Sequence, residues 1–300
     1  MLELDKEKKK IDIGFQKTCD CPDTHVNCMT AKEWIKSQLG VWEFNYEKRD
    51  IRDKEVHPAV FPISLAKRVI GLFTHRGELV LDPFNGVGTT LLAAKDLGRN
   101  AVGFDINRRY CNLSNSRLAQ TQLVANTKQI TILDDARNIA DYLKPDQVKL
   151  VFTSPPYANL LNRPRLNKSR RGKERINGQY LKVEQYSQDT RDLGTLDIAQ
   201  YTREMSSIYK GILPSVRPGG HSVVDVADMW WKEERAGAGR RIPIHIYIFR
   251  ALTDAGFELK NIIIWDRRNI VNKIGIFGWP SNYITMGTTF EYLLDFWKPN

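Results

Sequence analysis

The stretch LDPFNGVGTTLLAA, residues 81–94, decides which fold this chain adopts. Apolar residues that end in Asp82 predict a β-strand, and the small and apolar residues from 88 to 98 predict a helix. Gly86 and Gly88 lie in the turn between the two elements, where the absence of a side chain lets the backbone approach a ligand closely. The stretch therefore predicts a strand–turn–helix unit that binds a nucleotide-like ligand.

Two features around this turn narrow the expected ligand. The turn differs from the dinucleotide fingerprint G-x-G-x-x-G because Leu91 replaces the third glycine, and we expect Thr89 and Thr90 to cap the helix instead. The next two predicted strands end in Asp105, which can accept both hydroxyls of a ribose, and Asp135, which can accept an adenine amine. Three successive strands that end in acids indicate a cofactor that carries a nucleoside. Solvent-facing acids beside a plain turn are the alternative.

Strand and helix patterns alternate through most of the chain after residue 78. Such alternation predicts an α/β fold, in which a mostly parallel sheet carries helices on both faces. We place the ligand site at the carboxyl ends of the strands, where open α/β sheets bind their ligands. The seven predicted strands are 78–82, 100–105, 129–135, 149–157, 221–227, 257–266 and 290–298, and the predicted helices include 88–98, 200–216 and 244–255.

A Pro-Pro turn follows the fourth predicted strand, in the segment Thr153-Ser154-Pro155-Pro156-Tyr157. Tandem prolines fix an extended backbone and hold the Pro155 carbonyl outward. That carbonyl and the Ser154 hydroxyl offer two hydrogen-bond acceptors beside an aromatic ring, which suits the exocyclic NH2 group of a flipped base. A rigid loop with a chance SPPY sequence is the alternative.

These segments resemble the motifs of a known enzyme family. DPFNGVGTT (82–90) is similar to the cofactor motif of the DNA amino-methyltransferases, and TSPPY (153–157) is similar to their catalytic motif. HPAVFP (57–62) resembles the family segment that closes over the methionine end of the cofactor, and the closing stretch with FEYLLDFWK resembles the last family segments. The resemblance covers residues 55–157 and 200–298, and the pairing of the first two motifs in one chain carries it.

The resemblance implies a Rossmann-like methyltransferase fold and S-adenosyl-L-methionine as the cofactor. It also implies that the exocyclic amine of a flipped base in duplex DNA attacks the methyl group directly and in line, without a covalent enzyme intermediate. Serine rather than aspartate before the prolines favours cytosine N4 as the target, and adenine N6 stays open as the alternative. The cofactor loop precedes the catalytic turn, unlike in many members with the same cofactor-motif wording, which leaves the subgroup open.

The resemblance also assigns the site residues of this sequence. Those expected to hold the cofactor are Phe61, Asp82, Pro83, Phe84, Asn85, Gly86, Gly88, Thr89, Thr90, Asp105, Ile106, Asp135 and Ala136. Those expected to form the catalytic turn are Ser154, Pro155, Pro156 and Tyr157.

Basic residues point to a polyanionic partner. The formal net charge is +10 and the pI is near 9.4, and basic surface attracts phosphate backbones. We expect the insert 158–199 to read the DNA, helped by 228–242, which contains Trp230 and Trp231. A solvated loop is the alternative for the basic run. The expected phosphate contacts are Arg163, Arg165, Lys168, Arg170, Arg171, Lys173 and Arg175.

The expected organisation is an N-terminal extension, residues 1–54, followed by a methyltransferase catalytic domain, residues 55–300, with small DNA-recognition insertions. The expected partner is double-stranded DNA, and a cognate restriction endonuclease of the same restriction–modification system is a further candidate. Neither a signal peptide nor an apolar run of membrane-spanning length is evident. We therefore expect a cytoplasmic, nucleoid-associated protein without a membrane partner.

Three cysteines lie close together near the N-terminus, as Cys19, Cys21 and Cys28, with His25 between them. Thiolates and imidazole are the ligands that zinc prefers. However, the spacing C-x-C-x3-H-x2-C matches no common zinc pattern, and its first gap is tight for tetrahedral closure. We therefore assign no metal from the sequence and favour reduced thiols, with a small zinc knuckle as the alternative.

Two other functions remain open. A Pro-Pro-aromatic turn also serves amino-methyltransferases that act on RNA or on protein glutamine, although no RNA-binding appendage is recognisable. A DNA-binding partner subunit without catalysis is the second alternative. Such a subunit should show a decayed cofactor loop or catalytic turn, and both motifs are intact in this sequence.

Overall fold

Within the described residues, a sheet of eight strands organises the chain. The computed structural model describes residues 10–14, 16–47, 61–120, 127–161, 189–232, 239–269 and 286–300. The strands of the sheet are β1 (Val41–Glu43), β2 (Leu79–Asp82), β3 (Asn100–Asp105), β4 (Gln129–Leu133), β5 (Val148–Thr153), β6 (Val216–Val226), β9 (Glu258–Asp266) and β10 (Phe290–Trp297). Strands β7 (Met229–Lys232) and β8 (Gly239–Ile242) form a separate antiparallel hairpin. The helices are α1 (Ala31–Ser37), α2 (Ile63–Phe73), α3 (Thr89–Asp96), α4 (Arg108–Ala119), α5 (Ile139–Tyr142), α6 (Ile198–Ile212) and α7 (Ile244–Ala255).

The strand order fixes where a ligand can bind. The order across the sheet is β1-β9-β10-β6-β5-β2-β3-β4, and only β10 runs antiparallel to its neighbours. The chain winds outward in one direction from β2 through β3 to β4 and in the other from β5 to β6. The crevice between β2 and β5 is therefore a topological switch point, where open α/β sheets bind their ligands.

Both faces of the sheet are buried, because its central strands alternate between two apolar cores. Leu79 and Leu81 of β2 pack into one core, which α6 and α7 cover with Tyr201, Met205, Ile248 and Leu252. Val80 between them packs into the other core, which α2 and α3 cover with Leu65, Val69, Leu91 and Leu92. Nearly continuous apolar strands of this kind are typical of parallel sheets covered on both faces.

The seven predicted strands are confirmed, and the predicted boundaries of 100–105 and 244–255 match the structure residue for residue. The predicted count of seven is wrong by one strand, because Val41–Glu43 joins the edge of the sheet in parallel with β9. The predicted helix 200–216 ends earlier, at Ile212, and β6 begins at Val216. Pro214 explains the early end, because a proline cannot continue the helical hydrogen bonding.

The predicted capping by Thr89 and Thr90 is wrong. Gly88 is the N-cap residue of α3, in the left-handed conformation with φ 81°, and no side-chain hydrogen bond caps the helix. The two threonines instead form the first turn of the helix, where both are buried.

Parts of the predicted N-terminal extension pack against the catalytic core. Ile13 is 1% exposed beside β2 and β3, and Trp42 and Phe44 lie in the core that α2 covers. Gln147 binds the chain at residues 11 and 13, where its side-chain amide donates to the two backbone carbonyls. The division at residue 54 stays a prediction. None of the helices described is both long and apolar enough to cross a membrane.

Candidate active site

A cleft opens at the carboxyl ends of the central strands, at the switch point of the sheet. It encloses about 980 Å³, including the open space at its mouth, which is ample for a nucleoside-sized ligand. The loops after β2, β3, β4 and β5 all contribute to its walls. The lining residues are Phe61, Asp82–Val87, Thr89, Asp105–Asn107, Tyr110, Asp134–Arg137, Ser154–Tyr157, Arg191–Leu193 and Ile208.

The loop after β2 is held by hydrogen bonds to its neighbouring strands. Asp82 Oδ1 accepts from the backbone N–H of Phe84 at 3.1 Å and from the Thr153 hydroxyl at 2.7 Å. The backbone N–H of Asn85 donates to the Phe104 carbonyl at 2.8 Å. The contact between Asp82 and Thr153 joins the predicted cofactor loop directly to the strand that carries the predicted catalytic turn.

Two glycines permit this loop to pack against the next strand and helix. A Cβ atom on Gly88 would lie 2.2 Å from the Ser114 hydroxyl of α4, and its φ of 81° also disfavours a side chain. A Cβ atom on Gly103 would lie 2.4 Å from Oδ1 of Asn85, which covers β3 at this point. Asn85 in turn donates to the Ser114 hydroxyl at 3.1 Å. Gly88 therefore lets the loop pack closely against α4, although it does not itself line the cleft.

Asp105 presents a partly buried carboxyl group to the cleft. Its two oxygens accept from the backbone N–H groups of Gly86 and Asn107, each at 2.8 Å. Burial raises the pKa of Asp105 to about 7, and the nearby carboxylates of Asp82 and Asp192 add to the rise. Because each carboxylate oxygen has two acceptor sites, both oxygens retain capacity for a ligand hydroxyl.

Asp82 has a similarly raised pKa but a different environment. Burial raises the pKa of Asp82 to about 6, and hydrogen bonds from the Thr153 hydroxyl and the Phe84 backbone N–H oppose the rise. The side chain is 2% exposed, so its main contacts are the loop and strands that it joins. Asp82 therefore anchors the loop on which the ligand would rest.

Asp135 forms an ion pair with Arg137, which the position of Asp135 after β4 did not predict. Its Oδ2 pairs with the Arg137 guanidinium at 2.8 Å, and its Oδ1 accepts the backbone N–H of Arg137 at 2.9 Å. Arg137 also pairs with Glu204 at 2.6 Å. Beside it, the Asp134 carboxylate accepts from the Tyr142 hydroxyl at 2.6 Å. The role predicted for Asp135, to accept an adenine amine, stays a prediction, and its carboxylate is already neutralised.

The Ser154–Tyr157 turn lies on the opposite side of the cleft from Asp105 in strand order, at the end of β5. The Tyr157 hydroxyl accepts the backbone N–H of Ala227 at 3.1 Å, which ties the turn to the end of β6. The next residue, Ala158, is buried with φ 48°, a left-handed conformation that is uncommon for a residue other than glycine. The turn is thus fixed on both sides.

The structure brings most of the predicted site residues into one cleft. All four residues of the predicted catalytic turn line it, and of the predicted cofactor-binding residues only Gly88 and Thr90 do not. Thr90 lies buried beside Asp82. Phe61 lies at the wall with its ring centroid 5.2 Å from that of Phe152. The predicted DNA contacts from Arg163 to Arg175 lie outside the described residues, as do most of the insert 158–199 and part of 228–242.

Several lining residues were not predicted. Asn107 and Tyr110 follow Asp105 at the start of α4, so the sequence could have predicted that they lie near the cleft. Asp192 and Leu193 had no such signal, because they lie in the segment that we expected to read DNA. The other unpredicted lining residues are Val87, Asp134, Arg137, Arg191 and Ile208.

The two sides of the cleft differ in chemistry. The Asp105 carboxyl and the backbone N–H groups around the β2 loop suit a ribose, and Phe84, Ile106 and Ala136 offer apolar contacts for a base. Ser154 and Pro155 lie at the other side of the cleft. The serine hydroxyl and the proline carbonyl can both accept hydrogen bonds from the N–H groups of a substrate amine. The arrangement can hold a nucleoside-containing cofactor beside a substrate amine.

Comparison with known proteins gives consistent matches. A family model described as "DNA methylase" (N6_N4_Mtase) matches residues 3–116. The type II methyltransferase M.BglI of Bacillus subtilis is 31% identical over 128 residues, which is 42% of this chain and 36% of that protein. M.HindIII of Haemophilus influenzae, also a type II methyltransferase, is 47% identical over 66 residues, 22% of this chain and 21% of that protein. The matched segments thus span well under half the length of these relatives.

One solved structure aligns with much of this chain at low sequence identity. An S-adenosylmethionine-dependent methyltransferase from Methanosarcina mazei aligns with a TM-score of 0.46 and 13% identity. The alignment covers 77% of this chain and 97% of that protein.

Proposed function

Because the chain belongs to the DNA amino-methyltransferase family, we propose that it methylates the exocyclic amine of cytosine, at N4, in double-stranded DNA, with S-adenosyl-L-methionine as methyl donor. One observation carries the proposal. The hydrogen bond from Thr153 to Asp82 joins the first residues of the two family motifs, at the ends of β5 and β2, and one cleft contains both the Asp105 carboxyl and the Ser154–Tyr157 turn. Neither half of the cleft alone would support methyl transfer.

The cleft fits the cofactor that the family uses. When bound, S-adenosylmethionine supplies an electrophilic methyl group. Asp105 would accept the ribose hydroxyls, because its oxygens retain acceptor capacity beyond the backbone N–H groups of Gly86 and Asn107. Ile106 and Ala136 would contact the adenine ring, and Phe61 would border the methionine end. These roles also explain why the loop after β2 needs glycine where it approaches β3 and α4.

The catalytic turn would bind and orient the target amine. An exocyclic amine is a poor nucleophile because its lone pair is delocalised into the ring. Hydrogen bonds from its two hydrogens to the Ser154 hydroxyl and the Pro155 carbonyl would draw the nitrogen toward a tetrahedral geometry and release the lone pair. Most of the acceleration would come from holding the two reactants together, which is worth up to about 7–11 kcal/mol.

Tyr157 would supply the surface on which the flipped base stacks. Its hydroxyl accepts the backbone N–H of Ala227 at 3.1 Å, which helps to hold the ring in this position. A stacking contact of this kind is worth roughly 1–3 kcal/mol per base. Because every base has a π-face, Tyr157 would hold the base without choosing between cytosine and adenine.

Cytosine is the proposed base because Ser154, rather than aspartate, precedes the two prolines. Within the family this wording accompanies N4-cytosine activity more often than the aspartate form does. Adenine N6 is the alternative, since serine and aspartate are both acceptors for an amine hydrogen. The choice changes the product and leaves the proposed mechanism unchanged.

The basic character of the chain supports a DNA substrate. The net charge of +10 favours a polyanion, and the basic run from Arg163 to Arg175 follows the catalytic turn in the chain. Neutralising several phosphates would make binding strongly salt-dependent. A DNA substrate would place the protein at the nucleoid, and a cognate restriction endonuclease is a candidate partner, because the relatives M.BglI and M.HindIII are type II methyltransferases.

Methyl transfer to DNA tests the proposal directly. The purified protein is incubated with labelled S-adenosylmethionine and unmethylated genomic DNA, and the digested nucleosides are identified by mass spectrometry. We expect N4-methylcytosine, which Ser154→Ala should abolish while leaving cofactor binding intact. Ser116→Ala, on the exposed surface of α4, is the matched control and should retain activity.

Other products would change the conclusion in defined ways. N6-methyladenine would overturn the choice of base and retain the mechanism. Label in RNA or protein would overturn the DNA substrate. DNA binding without any methyl transfer, unaffected by Ser154→Ala or Asp105→Ala, would favour a non-enzymatic DNA-binding subunit.

A further inference from the structure

Four side chains of types that can bind a metal lie together where the N-terminal segment meets the turn between α2 and β2. Sγ of Cys19 lies 3.4 Å from Sγ of Cys28 and 3.3 Å from Nδ1 of His75, and Sγ of Cys28 lies 3.7 Å from the same nitrogen. Cys21 completes the group, in which all four donor atoms lie within 4.8 Å of one another. His75 comes from the turn between α2 and β2, 56 residues after Cys19.

These distances are those of atoms that share one metal ion. Zn²⁺ binds sulfur at about 2.3 Å and imidazole nitrogen at about 2.0–2.1 Å, so a tetrahedral centre separates two sulfurs by about 3.8 Å and a sulfur from a nitrogen by about 3.6 Å. The observed separations of 3.4, 3.3 and 3.7 Å lie within a few tenths of an ångström of these values. The imidazole also presents a ring nitrogen, not a carbon edge, to both sulfurs.

A disulfide does not account for the cluster. Sulfurs in a disulfide lie about 2.05 Å apart, and Cys19, Cys21 and Cys28 are all free thiols. The backbone N–H of Arg76 donates to Sγ of Cys28 at 3.4 Å, so the backbone of the His75 turn also holds this sulfur in place. Three thiolates and one imidazole also satisfy zinc's preference for soft ligands.

The surrounding chain lacks an apolar core of its own. No residue from Gln16 to Thr30 is buried, and helix α1, which follows, has no buried residue either. Segments that bury so little apolar surface need another source of stability, and a structural metal is a common one. The hydrogen bond from the Thr18 N–H to the Arg76 carbonyl, at 2.8 Å, joins the segment to the turn that carries His75.

We propose that Cys19, Cys21, Cys28 and His75 bind a structural Zn²⁺ ion, which fastens residues 16–30 to the turn between α2 and β2. Four protein ligands leave no open coordination position, which is typical of structural rather than catalytic zinc. His25, the imidazole that lies among the cysteines in sequence, is not part of the cluster. The histidine beside the three cysteines is therefore His75, which another segment supplies, and not the His25 of the zinc-knuckle alternative considered from the sequence.

The His75 turn is itself held in place. The backbone N–H of His75 donates to Oε2 of Glu78 at 2.7 Å, and Oε1 of Glu78 pairs with Arg217 at 2.8 Å. Glu78 is 4% exposed and immediately precedes β2. Gly77 makes the approach possible, because a Cβ there would lie 2.5 Å from the Gln16 carbonyl. The ligand histidine is thus presented on a rigid turn rather than on a loose loop.

Metal content tests the proposal without reference to methyl transfer. The full chain, purified without a histidine tag and dialysed against a weak chelator, is analysed by inductively coupled plasma mass spectrometry. We expect one Zn²⁺ per chain, lost in Cys28→Ser and in His75→Gln. His25→Gln is the matched control and should retain the ion. Cobalt(II) added to the metal-free wild type should give thiolate-to-metal charge transfer and the visible bands of tetrahedral coordination.

The wild-type protein also reports on the structural role. Removing the ion with a strong chelator should expose Lys17 to trypsin, since its side chain now donates to the Cys21 carbonyl at 3.0 Å within the fastened segment. Wild-type protein without metal, or with a disulfide between two of these cysteines, would overturn the proposal, as would loss of zinc in His25→Gln but not in His75→Gln. If Cys28→Ser fails to fold, the cobalt spectrum of the wild type still decides.

Discussion

Protonation of Asp105 should control how tightly the protein binds its cofactor. Burial raises the pKa of this carboxyl to about 7, so a substantial fraction is protonated near neutral pH. Ribose hydroxyls donate to the ionised form, because a protonated carboxyl carries a hydrogen on one of the two accepting oxygens. Binding should therefore favour the carboxylate and weaken as the pH falls below about 7.

The size of the effect follows from the pKa. At about pH 5.5, some 1.5 units below a pKa of about 7, only about 3% of the carboxyl is ionised. The dissociation constant for S-adenosylmethionine should then be about 30-fold higher than at about pH 8.5, which corresponds to about 2 kcal/mol. Below the pKa, binding should release a proton, and the release should vanish above it.

Isothermal titration calorimetry across this pH range, in buffers with different ionisation enthalpies, measures both the affinity and the protons released. Asp105→Asn should weaken binding at about pH 8.5 by roughly 10–100-fold, through loss of charge-assisted hydrogen bonds worth about 1.5–3 kcal/mol. It should also flatten the pH dependence. Asp141→Asn, on the exposed face of α5, should behave as the wild type.

A second acid in the cleft must be separated from the first. The pKa of Asp82 is about 6, so any slope that remains in Asp105→Asn should be confined to lower pH. Equal wild-type affinities at about pH 5.5 and 8.5, or an Asp105→Asn protein that binds as tightly as the wild type, would refute the assignment of Asp105 to the ribose.

Two further substitutions test how the cofactor loop is held, and a third tests a buried acid in the sheet. Gly88→Ala places a Cβ atom 2.2 Å from the Ser114 hydroxyl, at a residue with positive φ. We expect the free energy of unfolding, measured by denaturant titration, to fall by ~2–4 kcal/mol. An unfolding midpoint equal to that of the wild type would contradict this packing. Thr153→Val removes the 2.7 Å hydrogen bond to buried Asp82. The free energy of unfolding in the same titration should fall by ~1–3 kcal/mol, and the pKa of Asp82 should rise. An unchanged midpoint would show that the hydrogen bond does not stabilise the fold. Asp225 lies buried in β6, and burial raises its pKa to about 7, above its unfolded value. Its contribution to stability is fully present at low pH and is lost as the pH rises through about 7, so Asp225→Asn should stabilise the fold at about pH 8, by about 4 kcal/mol at most, but not at about pH 4. Thermal midpoints at the two pH values measure this, and equal shifts at both would argue against ionisation as the cause.

The central part of the fold was predictable because its signals are local. The ends of the strand 100–105 and the helix 244–255 have local signals in the sequence. The strand ends in an acid, Asp105, and the helix is followed by Gly256, which has φ 103°. The cofactor loop and the catalytic turn met in one cleft for a topological reason. Both follow parallel strands, and the carboxyl ends of parallel strands lie at the same edge of the sheet.

Several features that were missed depend on pairing over long distances in sequence. Strand β1 has only three residues, too few for a recognisable pattern, and its pairing with β9 joins residues more than two hundred positions apart. Asp192 and Leu193 lie near the end of the predicted insert, and no local pattern indicates that they line the cleft. His75 replaces His25 beside the three cysteines for a similar reason. Spacing within one segment carries no information about a ligand that another segment supplies.

The acids at or just after the ends of β2, β3 and β4 show how far a local pattern can distinguish roles. Asp82, Asp105 and Asp135 each accept, through Oδ1, the backbone N–H of the residue two positions later, which gives the same kind of turn after each strand. What differs is the side chain at that later position. Arg137 neutralises Asp135, whereas Asn107 carries no charge and leaves the Asp105 carboxyl free to meet a ligand. Asp82, which the uncharged Phe84 follows, is only 2% exposed and anchors the loop, so a neutral residue two positions later indicates a ligand-binding carboxylate only where the carboxyl is also accessible.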